Sequence, residues 1–268
     1  MVGEAMDPRE ERIRKQAERY IERCHAYTAP YEREKIKEDW LNKVKNTESL
    51  LPDFYRRAGD PRGKRVLEIG FGSGLQAVVF AKAGAEMHGL EVNQVLHEIA
   101  EENTAAYGVT INLKTYDGVH IPYPDDSFDF IYSLSVLEHV SNLPALMKEA
   151  ARVLRPGGRF YISFPNRFAL KETHTGVWFV SYLPRFLARP VLKFATGSDA
   201  MDALNLHFLD FFSFRQVSQR AGFSLVFDTE STGILQRAVK QLLVMFGIHY
   251  SALLSTIMIV LEKKSEHS

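Results

Sequence analysis

Between residues 65 and 164, short apolar runs alternate with longer segments whose apolar positions recur at helical spacing. Arg65-Val66-Leu67-Glu68-Ile69 reads as a strand that stops at glycines, and residues 74–83 as a helix with Val78, Val79 and Phe80 suited to burial. The pattern next predicts a strand over 87–91, a helix over 94–107 and a strand over 111–116. After a loop rich in Pro and Asp, 128–133 is another apolar run and 143–154 is helical. Arg155-Pro156-Gly157-Gly158 should stop that helix, with a strand following over 159–164. Short apolar strands separated by helices predict a doubly wound α/β fold, a mostly parallel sheet covered on both faces.

The flanks have a different texture. Asp7, Pro8 and Glu10 form a helix-start signal, and the pairs Glu10/Arg14 and Glu11/Lys15 support an exposed helix. A second helix over 31–54 carries Trp40, Leu41, Val44 and Leu51, so it should pack on something. Toward the other end, 211–221 reads as a helix, 223–227 as a strand and 253–262 as a β-branched run. Between 167 and 206 lies a stretch rich in Phe168, Trp178, Phe179, Tyr182, Phe186 and Phe194, interleaved with Arg185, Arg189 and Lys193. The expected organisation is a helical arm over 1–60 and an α/β unit over 61–268, interrupted by a lid-like insertion at 167–206.

Chemistry enters at the ends of the strands. In Gly70-Phe71-Gly72-Ser73-Gly74, glycines at the carboxyl end of the first strand allow a tight turn and close approach of a ligand to the backbone. The dinucleotide fingerprint would need a further glycine where Leu75 stands. Glu91, about 20 residues on, ends the second strand, where a carboxylate can accept hydrogen bonds from the ribose hydroxyls of an adenosine cofactor. Asp117-Gly118 follows the third strand on the same edge, where the aspartate can meet an adenine amino group.

Composition narrows the class further. With 33 basic and 33 acidic residues among 268, no net field draws in nucleic acid, and no nucleic-acid partner is expected. The lone Cys24 excludes an internal disulfide or a Cys-based zinc site within one chain. Residues 1–14 are charged and lack an apolar secretion segment, and the longest apolar runs fall short of the ~20 residues of a spanning helix. A cytoplasmic location without a transmembrane segment is therefore expected.

These stretches, together with Pro122-Tyr123-Pro124-Asp125-Asp126-Ser127-Phe128-Asp129, Leu137-Glu138-His139-Val140 and Leu154-Arg155-Pro156-Gly157-Gly158, stand in the order and spacing of a known family. Over about 64–166 the chain resembles the class I S-adenosylmethionine-dependent methyltransferases, nearest the small-molecule methyltransferase type 11 group. Glu68 stands where that family most often has Asp. The resemblance implies a seven-stranded sheet with an antiparallel last strand, although the connection between the last two strands is long. It implies S-adenosyl-L-methionine as cofactor, its methionine part surrounded by Glu68, Gly70, Gly72 and Gly74. Glu91 would hold the ribose, Asp117 and Gly118 the adenine, and Ser133 and Leu134 would line the pocket near the methyl group. Asp129, at the start of strand four, is as compatible with a structural role as with a catalytic one. The Leu-Arg-Pro-Gly-Gly turn would be architectural.

The implied activity is methyl transfer by in-line displacement to an O or N atom, or a C atom, of a small molecule. Because the aromatic insertion can form an amphipathic lid, that acceptor is expected to be lipophilic or aromatic, and contact with a membrane surface is allowed. An equally simple reading has the aromatics packing into a small core of their own. His139 and His174 are the candidate bases, followed by His207, and Tyr20, Tyr27 and Tyr31 of the arm are candidates to close over the cofactor. No metal is implied, and the acceptor and oligomeric state stay open. The alternatives are a nicotinamide-dependent Rossmann oxidoreductase, which Leu75 and Asp117 disfavour, and a non-catalytic cofactor-binding regulator. Ser133-Leu134-Ser135-Val136 replaces the Asn-Pro-Pro-Tyr-like stretch of enzymes that methylate nucleic-acid amines.

Overall fold

Alternating side chains sort the strands onto two faces of one sheet, and the helices follow from which face each strand must cover. In the computed structural model, residues 7–24, 30–197, 200–228 and 234–265 are described. The chain runs α1 (Pro8–Cys24), α2 (Pro30–Arg57), β1 (Arg65–Ile69), α3 (Leu75–Lys82), β2 (Glu86–Glu91), α4 (Gln94–Tyr107), β3 (Asn112–Thr115) and β4 (Phe128–Leu134). It continues with α5 (Leu143–Val153), β5 (Leu154–Pro165), α6 (Arg185–Thr196), α7 (Ala200–Ala203), α8 (Phe211–Arg220), β6 (Phe223–Val226), α9 (Ile234–Met245) and β7 (Thr256–Lys263).

The seven-stranded sheet has the order β3-β2-β1-β4-β5-β7-β6. All pairs up to β4–β5 are parallel, while β7 runs antiparallel to both β5 and β6. This is the mostly parallel, doubly wound arrangement with a reversed last strand that the sequence implied. Phe160, Ile162, Ile259 and Leu261 point to one face, where Leu146, Met147 and Ala150 of α5 and Phe211 and Phe214 of α8 cover them. Their neighbours Tyr161 and Val260 point to the other, with Phe54 of α2 and Phe80 of α3. Burying both faces makes the strands nearly continuous in apolar residues.

Ile13 and Ala17 of α1 and Trp40 and Val44 of α2 pack with Leu75, Val79, Leu96 and Ile99 on α3 and α4. The apolar positions noted in the second helix therefore have their partner. Tyr20 stacks on Trp40, with ring centroids 5.6 Å apart. Tyr27 and the side chain of Tyr31 lie outside the described residues.

Two local expectations are corrected by the fold. The helix α5 does end at Val153 before the Arg-Pro-Gly-Gly stretch, but the strand starts earlier than expected: Leu154 already pairs with Phe128, and pairing resumes at Arg159 with Phe130. The intervening residues bulge out, with the Arg155 guanidinium on the Asp129 carboxylate. Asp129 also accepts the Arg65 N–H at 2.8 Å. It thus ties the start of β1 to the bulge, at the edge of the sheet opposite the glycine turn.

The second concerns residues 166–210, where the small core consists of Val180, Ala188, Leu192 and Met201. Phe168, Trp178, Phe179, Tyr182, Phe186 and Phe194 are exposed instead, Phe186 by 75% and Phe194 by 94%. The aromatics do not form a core of their own, because α6 turns only the narrow seam of Ala188 and Leu192 inward. Among the described residues, no helix is long and apolar enough to cross a membrane.

Candidate functional site

A cleft of about 750 Å³ opens at the carboxyl ends of β1, β2, β3 and β4. Tyr20, Asp39, Trp40 and Lys43 border it from the arm, and Leu204 and Asn205 from the other side. Gly70, Gly72, Glu91, Asp117, Gly118, Leu134 and His139 all line it. Four loops meet there because parallel strands all end on one edge. Ser135, just after β4, holds a left-handed φ of 57° while its N–H donates to the Ser163 carbonyl at 2.9 Å.

Glu91 is the organising carboxylate. It is 7% exposed and accepts the N–H groups of Gly72 at 3.0 Å, Val92 at 2.9 Å and Asn93 at 3.1 Å. Burial raises its pKa, and these three donors work against the rise. The carboxylate thereby fixes the glycine turn to the end of β2. Asn93 in turn caps α4 by accepting from Val95 and Leu96.

Asp117 is exposed, and its Oδ1 accepts the N–H groups of Val119 and His120, an Asx-type turn. The His120 ring nitrogen lies 2.6 Å from its other oxygen. That hydrogen bond, followed by the two backbone donors, lowers the Asp117 pKa to about 2.

Glu68, Gly74, Ser133 and His174 are not among the lining residues. Gly74 caps α3 against α4, and the Ser133 hydroxyl donates to the Ile69 carbonyl at 3.1 Å. Glu68 is 1% exposed and accepts the Tyr132 hydroxyl at 2.8 Å. Burial pushes its pKa up to about 8, against the pull of Tyr132 and Lys43.

The Glu68 shift carries a stability consequence. With a folded pKa near 8 and an unfolded one near 4.3, the folded state holds the extra proton between those values. Stability from this group is full below pH ~4 and falls as pH rises through 8, in total by on the order of 5 kcal/mol. Glu68→Gln keeps an acceptor for Tyr132 without the titration. Thermal unfolding at pH 5.5 and 8.5 should show a smaller loss in the variant than in the parent protein; equal losses would mean that Glu68 is ionised throughout.

Sequence reasoning singles out His139 and His174 separately, and the structure brings them together. Their rings meet edge to face with centroids 5.0 Å apart. His139 Nδ1 lies 2.7 Å from the Leu204 carbonyl, which can only accept, so Nδ1 carries the proton and Nε2 presents a lone pair. Burial, then the charge of His174, lowers the His139 pKa to about 4. For His174, burial is outweighed by the Glu172 carboxylate at 3.0 Å, so its pKa is raised. Glu172 itself falls to about 2, since bonds from His174 and Thr175 overcome its burial. His207 stands apart from the pair, with its ring 3.3 Å from the Asn205 amide oxygen, but its N–H bonds the Glu138 carbonyl at 2.8 Å.

Glu138 is a residue that sequence reasoning misses. It is 1% exposed, neither carboxylate oxygen has a hydrogen-bond partner, and burial raises its pKa to about 7. Its adjacency to His139 is the one available signal. Trp40, Lys43 and Asn205 are likewise unforeseen as cleft residues, since each comes from a segment distant in sequence.

The cleft suits an adenosyl ligand in size, and Gly72 borders it with no atom within 4 Å of where a Cβ would stand. Glu91 supplies the carboxylate and Leu134 and Val119 the apolar walls.

Residues 67–162 match the family described as "Methyltransferase domain". Over 119 residues the chain is 35% identical to Methyltransferase GfsG of Streptomyces halstedii, a stretch covering 43% of each protein. Over 130 residues it is 35% identical to the demethylmenaquinone methyltransferase of Tropheryma whipplei strain Twist, covering 45% of this chain and 53% of that one. The chain thus spans about half the length of the curated relatives it matches. An S-adenosylmethionine dependent methyltransferase from Mesorhizobium loti shares the fold, with a TM-score of 0.56 at 19% identity over 80% of this chain and 97% of that one. Residues 67–162 thus resemble a methyltransferase domain in sequence, and the strand order is the fold shared with that solved S-adenosylmethionine dependent methyltransferase.

Proposed function

We propose that the protein moves a methyl group from S-adenosyl-L-methionine to a nucleophilic oxygen, nitrogen or carbon of a small, lipophilic acceptor. The observation that carries this reading is the buried Glu91 carboxylate clamped to the glycine turn inside a cleft at the ends of four parallel strands. When bound, the cofactor supplies a sulfonium methyl: the acceptor's lone pair forms the new bond to carbon, the carbon–sulfur bond breaks, and sulfur keeps its electrons.

The chain's part is positioning and exclusion of water, and alignment alone is worth about 7–11 kcal/mol in favourable cases. Glu91 accepts the ribose hydroxyls, Asp117 and Gly118 border the adenine, and Gly70 and Gly72 admit the methionine part. Glu68 and Ser133 support this wall from behind through Tyr132 and the Ile69 carbonyl. The acceptor would lie beside His139, the histidine of the pair that lines the cleft, with Glu138 and His174 behind it. Calorimetric titration with S-adenosylmethionine and S-adenosylhomocysteine, beside NADH, tests the cofactor: binding of NADH alone would refute it in favour of an oxidoreductase.

A lipophilic acceptor is supported by the insertion. Phe186, Leu187, Val191 and Phe194 fall on one exposed side of α6, next to a side bearing Arg185, Arg189 and Lys193. An apolar stripe beside a basic one is the make-up of a helix lying in an anionic membrane interface. Demethylmenaquinone, in the name of the Tropheryma relative, is an acceptor of this lipophilic class. The chain should therefore co-sediment with vesicles containing anionic lipid. Exchanging Phe186 and Phe194 together for Ser should weaken that binding by about 100-fold or more, from a transfer value of about 1.5–3 kcal/mol for each aromatic side chain. Unchanged sedimentation would rule out α6 as the contact.

A further inference from the structure

We infer that Glu138, His139 and His174 form a binding site for a divalent first-row transition-metal ion at the inner end of the cleft. One ligand atom from each residue lies within 4.8 Å of the others. Glu138 Oε1 stands 3.9 Å from His139 Nε2 and 3.6 Å from His174 Nε2. These gaps are too long for hydrogen bonds, which close to ~2.7–3.2 Å. They approach the roughly 3.4 Å that separates two ligands of a tetrahedral ion held at ~2.1 Å.

The remaining ring nitrogens support the same assignment. His139 Nδ1 is taken by the Leu204 carbonyl and His174 Nδ1 by Glu172, so both Nε2 atoms face inward toward Glu138. An acceptor behind each imidazole is how metal-binding histidines are held in orientation and tautomer. Glu172 is fully engaged in holding this loop, since one oxygen takes the His174 N–H and ring and the other the Thr175 N–H and hydroxyl. Glu138, by contrast, is buried with both oxygens unpartnered, a state that costs folding free energy unless a cation or a proton compensates it.

Two imidazoles and one carboxylate favour Zn²⁺, Mn²⁺ or Fe²⁺ over Mg²⁺ or Ca²⁺, which prefer all-oxygen shells. Three protein ligands leave coordination positions open, and His139 is the ligand that lines the cleft. If the methyl-transfer reading holds, those positions suit an acceptor oxygen, whose proton the ion would make easier to lose. The competing arrangement is a buried ion pair of protonated His174 between Glu172 and Glu138, without metal.

Calorimetry with Zn²⁺ and with Mn²⁺, on untagged chain stripped by chelator and returned to chelator-free buffer, separates the two. The expected result is one ion per chain, with affinity lost at least 100-fold in Glu138→Gln and in His174→Ala. Glu172→Gln, which leaves all three ligands in place, should weaken it about 10- to 100-fold. Glu138→Gln is nearly isosteric, so a disturbed insertion in His174→Ala does not compromise the test. S-adenosylmethionine affinity should stay within about threefold in each variant, which keeps failure of the metal site distinct from failure of the cofactor site. No saturable uptake by the intact chain, or uptake undiminished in Glu138→Gln, would overturn the proposal in favour of the ion pair.

Discussion

Replacing Glu91 by Ala should weaken binding of S-adenosylmethionine and S-adenosylhomocysteine by about 100- to 20,000-fold. A hydrogen bond to a charged group contributes about 1.5–3 kcal/mol, and the carboxylate would accept two from the ribose. The side chain also holds Gly72, Val92 and Asn93 by their N–H groups, so its removal loosens the glycine turn as well. The two effects separate in Glu91→Gln, which retains an amide oxygen but turns an NH₂ toward backbone donors. That variant should recover part of the stability while binding the ligand little better than Ala. A Glu91→Ala protein that stays folded and binds the ligand with parental affinity would overturn the cofactor assignment.

Why Glu91 can be found in the sequence is physical. Parallel strands end on a common edge, so a carboxylate closing an apolar run after a glycine turn must stand near that turn. The helix at 94–107 is equally legible, because Asn93 caps its start and Gly108, with φ 64°, ends it. The bulge in β5 is not. Pro156 and two glycines read as a stop, and only pairing with β4 makes Leu154 part of the strand. Such pairing is tertiary, and the run of turn residues carries no trace of it.

The cleft divides along the same line. Its glycine-turn side is local to successive strand ends, so Gly70, Gly72, Glu91 and Asp117 can be read in order. Its far end is made by segments distant in sequence: His139 meets His174, and Asn205 bonds the His139 carbonyl. Each histidine taken singly looks like any packed histidine. Glu138 is the sharper case, since a glutamate in a loop is ordinarily solvated and only the folded insertion buries it. The exposed aromatics of α6 also escape a single reading, because an apolar stripe has the same spacing whether it faces a core or a membrane.

Among the glycines of the first loop, Gly72 and Gly74 should respond to the same substitution in opposite ways. Both have positive φ, 53° and 73°, so an alanine costs about 1 kcal/mol at either position. At Gly74 the added Cβ would stand 2.7 Å from Ala100 Cβ and 3.1 Å from its Cα. Neither can yield without moving α4 as a whole, and such overpacking adds about 1–3 kcal/mol. Gly74→Ala should therefore lower the melting temperature by about 5–15 °C. At Gly72 the Cβ would meet nothing within 4 Å, and the glycine lines the cleft. Gly72→Ala should cost only about 2–4 °C yet weaken S-adenosylmethionine on the order of tenfold or more, since the methyl takes up space the ligand needs. Differential scanning calorimetry and ligand titration on both variants measure the two axes together. If Gly72→Ala kept parental affinity, the ligand would not approach the backbone there. If Gly74→Ala melted with the parent protein, α3 and α4 would not be in the close contact that leaves no room for a side chain.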